Sequence, residues 1–225
     1  MNERSIAIDG PSGAGKSTLA KALAKELNYL YVDTGAIYRT VGLSALRCGI
    51  DPADRAAVPA MLPRLDVQMG YGEDGLQHMY LNGEDVTKEI REHVVSDYAS
   101  KVSAIPEVRA FLLEMQRKLA RENNVIMDGR DIGTVVLPDA GLKIFLTADA
   151  EDRAQRRYKE LIERGQTVDY ETVLHDVVQR DKQDTERTTA PLRQAEDAVL
   201  VDTTGVDLDG SMQMLRRAVE ERFGF

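Results

Sequence analysis

A glycine-rich segment near the start of the chain has the residue types and spacing of a phosphate-binding loop. Residues 10–18 read G-P-S-G-A-G-K-S-T, which fits the pattern G-x-x-x-x-G-K-[ST]. An apolar segment, residues 5–9, precedes the loop, and a helix-like segment rich in alanine, leucine and lysine, residues 17–27, follows it. Glycines let the backbone wrap closely around a phosphate chain with its N–H groups turned inward. The sequence therefore predicts that the chain binds a nucleoside triphosphate.

The polar residues of this loop have distinct expected roles. The side chain of Lys16 can reach the β- and γ-phosphates, and the hydroxyl of Ser17 can bind Mg²⁺. The following helix adds the positive end of its dipole. We expect every residue of the loop to contribute to triphosphate binding: Gly10, Pro11, Ser12, Gly13, Ala14, Gly15, Lys16, Ser17 and Thr18.

Residues 33–39, which read D-T-G-A-I-Y-R, follow the second strand-like segment. Because ligands bind at the carboxyl ends of strands in an open parallel sheet, Asp33 and Arg39 are expected near the transferred phosphate. We assign Asp33, together with Ser17, to the metal site. Thr34 on its own would be an ordinary N-cap for a helix that begins near Ala36.

Residues 128–131, which read D-G-R-D, follow the third strand-like segment. Asp128 is placed where a carboxylate can hold Mg²⁺ through water, and Arg130 could bind phosphate. Asp131 could accept hydrogen bonds from a sugar or a base. A charged turn without function is the alternative, but a turn does not need this pattern at the end of a strand.

Arg153, Arg156 and Arg157 share one face of the helix that follows the fourth strand-like segment. In an acidic chain this face is a candidate phosphate-binding surface, although the acidic residues nearby would equally suit a solvated helix.

Arg180, Asp184 and Arg187 form one stripe if their helix continues far enough. One carboxylate between two arginines suits a ligand that carries both a phosphate and hydrogen-bond donors. Residues 164–167 interrupt the helical pattern before this stripe. The resulting helix–loop–helix could close over the phosphates and exclude water.

The elements that must position these residues alternate between strands and helices. Strands are predicted at residues 5–9, 29–32, 125–127, 142–146 and 198–201, and helices at residues 16–27, 36–47, 107–122, 151–164 and 170–182. The strands are short, apolar and mostly non-alternating, as in a parallel sheet that is covered on both faces. The pattern predicts a doubly wound α/β fold.

One segment departs from this alternation. Apolar and polar residues alternate within residues 65–69, a turn-like segment follows at 72–75, and residues 76–81 are strand-like again. Asn82 followed by glycine is a further hairpin signal. We predict that residues 63–94 form a small antiparallel insertion.

Composition limits the class of protein. With 225 residues, 43% of them hydrophobic, the chain suits one domain or one domain with an insertion. A net charge of -9 argues against a general binder of nucleic acids or membrane surfaces. The single cysteine, Cys48, cannot form an internal disulfide, and we expect it to pack near a helix end. We find neither a signal peptide nor an apolar run of membrane-spanning length, and expect a cytoplasmic protein.

In their order along the chain, these motifs resemble those of bacterial cytidylate kinases. The resemblance covers nearly the whole chain and is carried by residues 10–18, 33–39, 82–87 (N-G-E-D-V-T), 95–100 (V-S-x-x-A-S), 129–136 (G-R-D-I-G-T-V-V), 143–148 (K-I-F-L-T-A), 180–187 (R-D-x-x-D-x-x-R), 190–192 (A-P-L) and 202–204 (D-T-T).

The resemblance implies a fold and an activity. The fold would be a P-loop core with a five-stranded parallel sheet, residues 1–62 and 95–225, and a helical lid at about residues 151–168. Residues 63–94 would be the inserted subdomain that binds the nucleoside monophosphate. The enzyme would transfer the γ-phosphoryl group of ATP to CMP or dCMP with the help of Mg²⁺, and would act as a monomer in pyrimidine nucleotide metabolism.

The resemblance also implies roles for individual residues. The catalytic set would be Lys16, Asp128, Arg130 and Arg156, and the lid arginines Arg153 and Arg157 would add to ATP binding. The CMP-binding set would be Thr34, Arg39, Ser100, Arg109, Gly129, Arg130, Asp131, Arg180, Asp184 and Arg187. Ser100 and Arg109, which look ordinary by themselves, would recognise the cytosine edge with Asp131. Thr34 stands where the family usually has serine, and both residues offer a hydroxyl.

Three other functions share the phosphate loop. A GTPase switch needs an N-K-x-D element, and the nearest string, residues 181–184, lacks the leading asparagine. A kinase for another acceptor, such as shikimate or UMP, is disfavoured by the predicted insertion and by Ser100, Arg109 and Asp131. A non-catalytic nucleotide-binding module is disfavoured by the intact Lys16 and by the arginines.

Overall fold

The computed structural model describes residues 4–73, 75–163 and 165–224. The strands are β1 Ile6–Asp9, β2 Leu30–Asp33, β3 Val67–Tyr71, β4 Gln77–Leu81, β5 Glu84–Asp85, β6 Val125–Gly129, β7 Leu142–Thr147 and β8 Val199–Asp202. The α-helices are α1 Lys16–Leu27, α2 Thr34–Arg47, α3 Ala57–Met61, α4 His93–Val102, α5 Pro106–Glu122, α6 Ala150–Glu163, α7 Tyr170–Glu186 and α8 Leu208–Phe223. The predicted turn at Asp74, the break at Arg164 and the first three residues lie outside the described residues.

A five-stranded sheet has the order β2-β6-β1-β7-β8. Strand β1 lies parallel between β6 and β7, with Ile6 opposite Ile126 on one side and Leu142 on the other. All of β1 is buried, because the sheet is covered on both faces, and this explains its unbroken apolar sequence. The predicted doubly wound α/β core with five parallel strands is confirmed.

The chain divides into two compact units. One contains the part up to Tyr31 together with the part from Ala120 onward, and the other is Val32–Leu119. The predicted boundaries at residues 62 and 95, and the lid at about 151–168, stay predictions.

The first unit has its main core on β1, α1 and α8. Leu19 and Leu23 of α1 and Leu215 of α8 pack with Ile6 and Ile126 of the sheet. Leu19 and Leu23 are four residues apart, so they share the helix face that is turned to the sheet. A second, smaller cluster joins α6 to α7 through four buried residues, Ala154, Leu161, Val173 and Val177.

The second unit contains the predicted antiparallel sheet, in the order β3-β4-β5. Gly70 pairs with His78 and Val67 with Leu81 in the first hairpin. Asn82 and Gly83 join β4 to β5 with φ values of 52° and 84°. A two-residue loop of this kind needs left-handed backbone at both positions, which asparagine and glycine tolerate best. The hairpin predicted from Asn-Gly is confirmed.

Two local predictions differ from the structure. The N-cap of α2 is Asp33 and not Thr34, because the Asp33 carboxylate accepts a hydrogen bond from the N–H of Ala36 and starts the helix two residues early. Cys48 is exposed at the C-cap of α2 and does not pack inside. Among the described residues, no helix is both long and apolar enough to cross a membrane.

Candidate active site

The glycine-rich loop after β1 has the backbone geometry of a phosphate-binding loop. Gly10, Gly13 and Gly15 have φ values of 151°, 77° and 83°, where residues with a side chain are strained. A Cβ atom on Gly10 would lie 1.9 Å from the carbonyl oxygen of Leu146. Only glycine fits there, and helix α1 begins directly after the loop at Lys16.

Lys16 is buried inside this loop. Its Nζ donates a hydrogen bond to the carbonyl of Pro11 at 2.7 Å. Burial and the nearby Arg130 guanidinium lower the pKa of Lys16 to about 7, against the opposing pull of Asp128, Asp184 and Asp9. The loop therefore holds a cation whose charge depends on its neighbours, and an added anion would favour the charged form.

Ser17, the residue after Lys16, forms a hydroxyl–carboxylate pair with Asp128. The Oγ of Ser17 donates to Oδ2 of Asp128 at 2.8 Å, and the Tyr31 hydroxyl donates to Oδ1 at 3.0 Å. The sequence analysis missed Tyr31, which belongs to an apolar strand pattern and carries no charge. The pair offers the hard oxygen ligands that Mg²⁺ prefers. Within the described residues, no cluster of three or more His, Cys, Asp or Glu residues forms a metal site.

A cationic cluster surrounds the end of α7. Arg130 Nε donates to Oδ2 of Asp184 at 2.7 Å, with Asp184 buried and Arg130 partly buried. Burial would raise the pKa of Asp184, but Arg130, Arg180 and Arg187 together hold it below the ordinary value. Three guanidinium groups thus act on one carboxylate, and guanidinium groups have the donor geometry that suits phosphate.

Asp131 lies next to this cluster. Its carboxylate is buried, and Oδ1 is 3.7 Å from the guanidinium of Arg187. Arg187 Nε also donates to the carbonyl of Ala190 at 2.7 Å. The structure therefore brings Arg130, Asp131, Asp184 and Arg187, which come from two separate segments of the sequence, into one charged network.

The three arginines predicted on one face of α6 have different surroundings. Arg153 is buried, with Nε donating to Ala148 O at 2.7 Å, Nη1 to Ser12 O at 3.0 Å, and a bidentate pair to Asp181 at 3.0 and 2.6 Å. Arg156 donates to the carbonyl of Thr203 at 2.7 Å. Only arginine carries enough donors in one plane for the set that Arg153 makes.

Arg157 is 36% exposed, much like Arg156 at 35%, and pairs with Glu160 at 2.9 Å. Its guanidinium is therefore free to exchange a weak surface partner for a ligand. The bonds of Arg153 were missed by the sequence analysis, because its partners Ser12 and Asp181 are distant in the chain.

In the second unit, Asp33 is the centre of a polar group. Its Oδ1 accepts from the N–H of Ala36 at 2.9 Å, while Oδ2 faces Arg39 at 2.8 Å and Arg91 at 3.2 Å. Burial opposes ionisation, but the two guanidinium groups hold the pKa of Asp33 below its ordinary value. The buried Nε of Arg39 finds no hydrogen-bond partner within the part of the chain that the structure describes, so this residue retains a donor for a ligand.

Two contacts of the second unit had no sequence signal. Gln77 of β4 accepts from the N–H of Asp33 at 2.7 Å and donates to its carbonyl at 3.2 Å, which ties the inserted sheet to the start of α2. Arg91 comes from the segment after the sheet. Both are single polar residues in unremarkable surroundings of the sequence, and only the fold brings them to Asp33.

Ser100 and Arg109 lie around a common neighbour. The Ser103 hydroxyl donates to the carbonyl of Ser100 at 2.8 Å, and the Ser103 carbonyl accepts from Arg109 at 3.3 Å. The guanidinium of Arg109 also lies 5.5 Å from the centre of the Tyr38 ring. The structure thus places two predicted base-recognition residues together on α4 and α5, and Thr34 is buried at the start of α2.

Comparison with known proteins gives the same family from several directions. The family model described as cytidylate kinase matches residues 6–220. A protein of Caldicellulosiruptor bescii described as a cytidylate kinase is 52% identical over 213 residues, which cover 95% of this chain and 94% of the relative. Another, from Streptococcus agalactiae serotype V, is 47% identical over 221 residues, or 98% and 97% of the two chains.

A solved structure also shares the fold. An uncharacterized protein from Eubacterium ventriosum superposes with a TM-score of 0.53 at 15% identity, covering 96% of this chain and 98% of its own. This likeness supports the architecture of the chain.

Proposed function

The chain belongs to the cytidylate kinase family, and we propose that it transfers the γ-phosphoryl group of ATP to CMP and dCMP. Membership makes it a phosphotransferase of nucleoside monophosphates acting on CMP. The observation that carries the proposal is the match of residues 6–220 to this family, in a chain whose phosphate loop is intact. We also propose that the enzyme uses dCMP, ATP and Mg²⁺. It would act as a cytoplasmic monomer without nucleic-acid or membrane partners.

The donor side of the proposal rests on the phosphate loop. Residues 10–18 would hold the triphosphate with their N–H groups, and Lys16 would neutralise charge between the β- and γ-phosphates. Arg156 and Arg157 are proposed to contact the transferred group or the donor when the lid closes. Arg153 would support ATP binding indirectly by holding the phosphate loop, because its guanidinium already donates a hydrogen bond to the Ser12 carbonyl.

Mg²⁺ fits the hydroxyl–carboxylate pair next to this loop. Mg²⁺ usually keeps several waters and takes only one or two protein ligands, so a serine hydroxyl and a nearby carboxylate suffice. We propose that Ser17 binds the ion and that Asp128 holds its waters. When bound, the ion would neutralise charge that develops on the phosphates. Asp33, whose two carboxylate oxygens face Ala36, Arg39 and Arg91, stays a prediction for the metal site.

The acceptor residues are proposed in three groups. Arg39 and Thr34 would contact the acceptor nucleotide, and Ser100, Arg109 and Asp131 would read the cytosine edge. Gly129, Arg130, Arg180, Asp184 and Arg187 would bind the sugar and phosphate. The charged network of Arg130, Asp184 and Arg187 supports the third group, because guanidinium groups bind phosphate with paired hydrogen bonds.

The chemistry needs no strong base in this proposal. The second pKa of the acceptor phosphate is about 6, so near neutral pH the phosphate is already a dianionic nucleophile. The protein would contribute position and charge, with Lys16 and the arginines stabilising a loose transition state. Closure of the arginine-bearing α6–α7 segment would keep water from competing as the acceptor.

An acceptor panel tests the proposal. With ATP and Mg²⁺ fixed, ADP production is followed with CMP, dCMP, UMP, AMP, GMP, dTMP and shikimate in turn. We expect strong preference for CMP and dCMP. Turnover with a different acceptor would leave the phosphate loop in place but overturn the acceptor residues, and no turnover with any acceptor would favour a non-catalytic nucleotide-binding module.

A further inference from the structure

Asp9 is the last residue of β1 and directly precedes the phosphate loop. It is 4% exposed. Its two carboxylate oxygens each accept one backbone hydrogen bond at 2.7 Å, Oδ1 from the N–H of Ile132 and Oδ2 from the N–H of Gly133. These two residues lie more than a hundred positions away in the sequence, so the contact joins the root of the phosphate loop to the segment after β6.

The two N–H groups belong to the first residues of the single helical turn Ile132–Val136. The first N–H groups of a helical turn have no acceptor within the turn, so a side chain must satisfy them when they are buried. Here the cap comes from another strand. Asp131 directly precedes the turn as its N-cap residue, and the carbonyl of Asp131 accepts hydrogen bonds from the N–H groups of Val135 and Val136.

Gly133 shows how closely the turn approaches the carboxylate. A Cβ atom on Gly133 would lie 3.3 Å from Oδ2 of Asp9 and 3.1 Å from Cδ of Lys143. A side chain at this position would push the turn away from Asp9, so the glycine permits the short hydrogen bond.

We propose that Asp9 is a positioning residue for the acceptor nucleotide, because its carboxylate fixes the turn from which Arg130 and Asp131 reach their partners. Arg130 then meets Asp184 at 2.7 Å and Asp131 faces Arg187 at 3.7 Å. The inference rests on the proposed function, in which Arg130 and Asp131 bind the CMP phosphate and base.

The carboxylate form is required for this role. Two converging N–H donors need two acceptor oxygens, and an asparagine supplies one oxygen and an NH₂ that would face the second N–H. Asp9→Asn keeps the size of the side chain and removes one of the two bonds, which makes it the test variant.

Asp54 offers a matched control. Its carboxylate also accepts two backbone N–H groups, from Ala56 at 2.8 Å and Ala57 at 2.9 Å, but it is exposed and lies outside the proposed site. Both bonds go to Oδ1, which an asparagine keeps, so Asp54→Asn makes the same chemical replacement at an exposed carboxylate without touching the turn.

The experiment combines steady-state kinetics with amide hydrogen exchange measured by NMR on the full chain. In Asp9→Asn we expect the KM for CMP to rise about tenfold while the KM for ATP stays within about twofold. The amides of Ile132 and Gly133 should be protected in the wild type and exchange at least about tenfold faster in the variant. Asp54→Asn should leave both KM values and both amides unchanged.

The outcomes separate the inference from the proposed function. An unchanged KM for CMP in Asp9→Asn, or an equal rise for CMP and ATP, would overturn the positioning role. If Asp9→Asn does not fold, the KM comparison is made with Gly133→Ala, and amide protection is measured in the wild type. Unprotected amides at Ile132 and Gly133 would overturn the positioning role. If the wild type phosphorylates a different acceptor, the proposed function is wrong. The KM comparison for Asp9→Asn would then be made with that acceptor.

Discussion

The hydroxyl of Ser17 lies 2.8 Å from the carboxylate of Asp128, although 111 residues separate them in the sequence. Ser17 follows the phosphate-loop lysine, and Asp128 is the last residue but one of the adjacent parallel strand β6. Parallel strands place their carboxyl ends at one edge of a sheet, so the fold brings the hydroxyl and the carboxylate together at the start of helix α1.

The first prediction concerns the metal. Ser17→Ala removes one oxygen ligand, so we expect a lower turnover number and a free-Mg²⁺ requirement raised about tenfold. Ser17→Thr keeps the hydroxyl and should retain most of the activity, since the loop pattern accepts either residue. The rate is measured against free Mg²⁺, and EDTA should abolish it in all three proteins. An unchanged Mg²⁺ dependence in Ser17→Ala would remove Ser17 from the metal site.

The second prediction concerns Lys16. Lys16→Ala should lower the turnover number by roughly a thousandfold, because the only cation inside the loop is lost from the transition state. The fold should persist, since burial already disfavours the charged lysine. Lys21→Ala, on the exposed face of the same helix, is the control and should behave as the wild type. Near-normal turnover by Lys16→Ala would contradict the assignment of the phosphate loop.

The third prediction concerns recognition of the acceptor. Asp131→Ala should raise the KM for CMP by tenfold or more, about the cost of a lost charge-assisted hydrogen bond, while ATP binding changes little. Discrimination between CMP and UMP should fall as well. Kinetics with each substrate varied in turn give both values. Equal losses for CMP and ATP would argue against a role of Asp131 in reading cytosine.

The fourth prediction separates two arginines of one helix. The side chain of Arg153 is 5% exposed and that of Arg157 is 36% exposed. Removing the buried Arg153 breaks its ion pair with the partly buried Asp181 and its bonds to the Ala148 and Ser12 carbonyls, so Arg153→Ala should lose about 3 kcal/mol of unfolding free energy. Arg157→Ala should lose less than about 1 kcal/mol. Urea unfolding measures both, and equal stability of the two variants would contradict the structural role of Arg153.

The same pair of variants should differ in kinetics. If Arg157 binds the donor on closure, Arg157→Ala should raise the KM for ATP in a protein of normal stability. An Arg157→Ala variant with wild-type kinetics would leave Arg157 as a surface residue paired with Glu160.

The fifth prediction concerns pH. Burial raises the pKa of Asp9 from 3.8 to about 6, despite the hydrogen bonds from Gly133 and Ile132 that lower it. Between these two values the folded chain keeps a proton that the unfolded chain has lost, so this residue makes stability fall as pH rises from about 4 to about 6. The shift corresponds to roughly 3 kcal/mol.

The comparison with Asp9→Asn isolates this effect. Asparagine does not titrate, so the unfolding free energy of the wild type minus that of the variant should decrease by roughly 2 kcal/mol between pH 4 and pH 7, most of the full effect. The other carboxylates are common to both proteins and cancel in the difference. A difference that does not change with pH would show that the pKa of Asp9 is ordinary.

The sequence by itself determined the elements and the donor loop. Five apolar strands and the helices between them could be predicted within a few residues, because burial on both faces demands unbroken apolar segments and amphipathic helices follow a regular period. The phosphate loop was equally readable, since its glycines and its lysine act through local backbone geometry. Asn82 and Gly83 determined a hairpin for the same reason.

Only the tertiary structure decided which polar groups meet. Local pattern made Thr34 a possible cap, yet Asp33 caps α2, because a carboxylate one residue earlier reaches the same N–H groups and is held there by Arg39 and Arg91. No sequence pattern around Asp9 predicts its hydrogen bonds with the N–H groups of Ile132 and Gly133.

The arginines of α6 show the same difference between what the sequence predicts and what the tertiary structure decides. Their spacing placed Arg153 and Arg157 on one face, but burial against Ser12 and Asp181 made the first a structural anchor and left the second at the surface. Sequence periodicity predicts which residues share a helix face. Remote segments of the chain pack against that face, and they decide whether a charged side chain is buried, paired or available to a ligand.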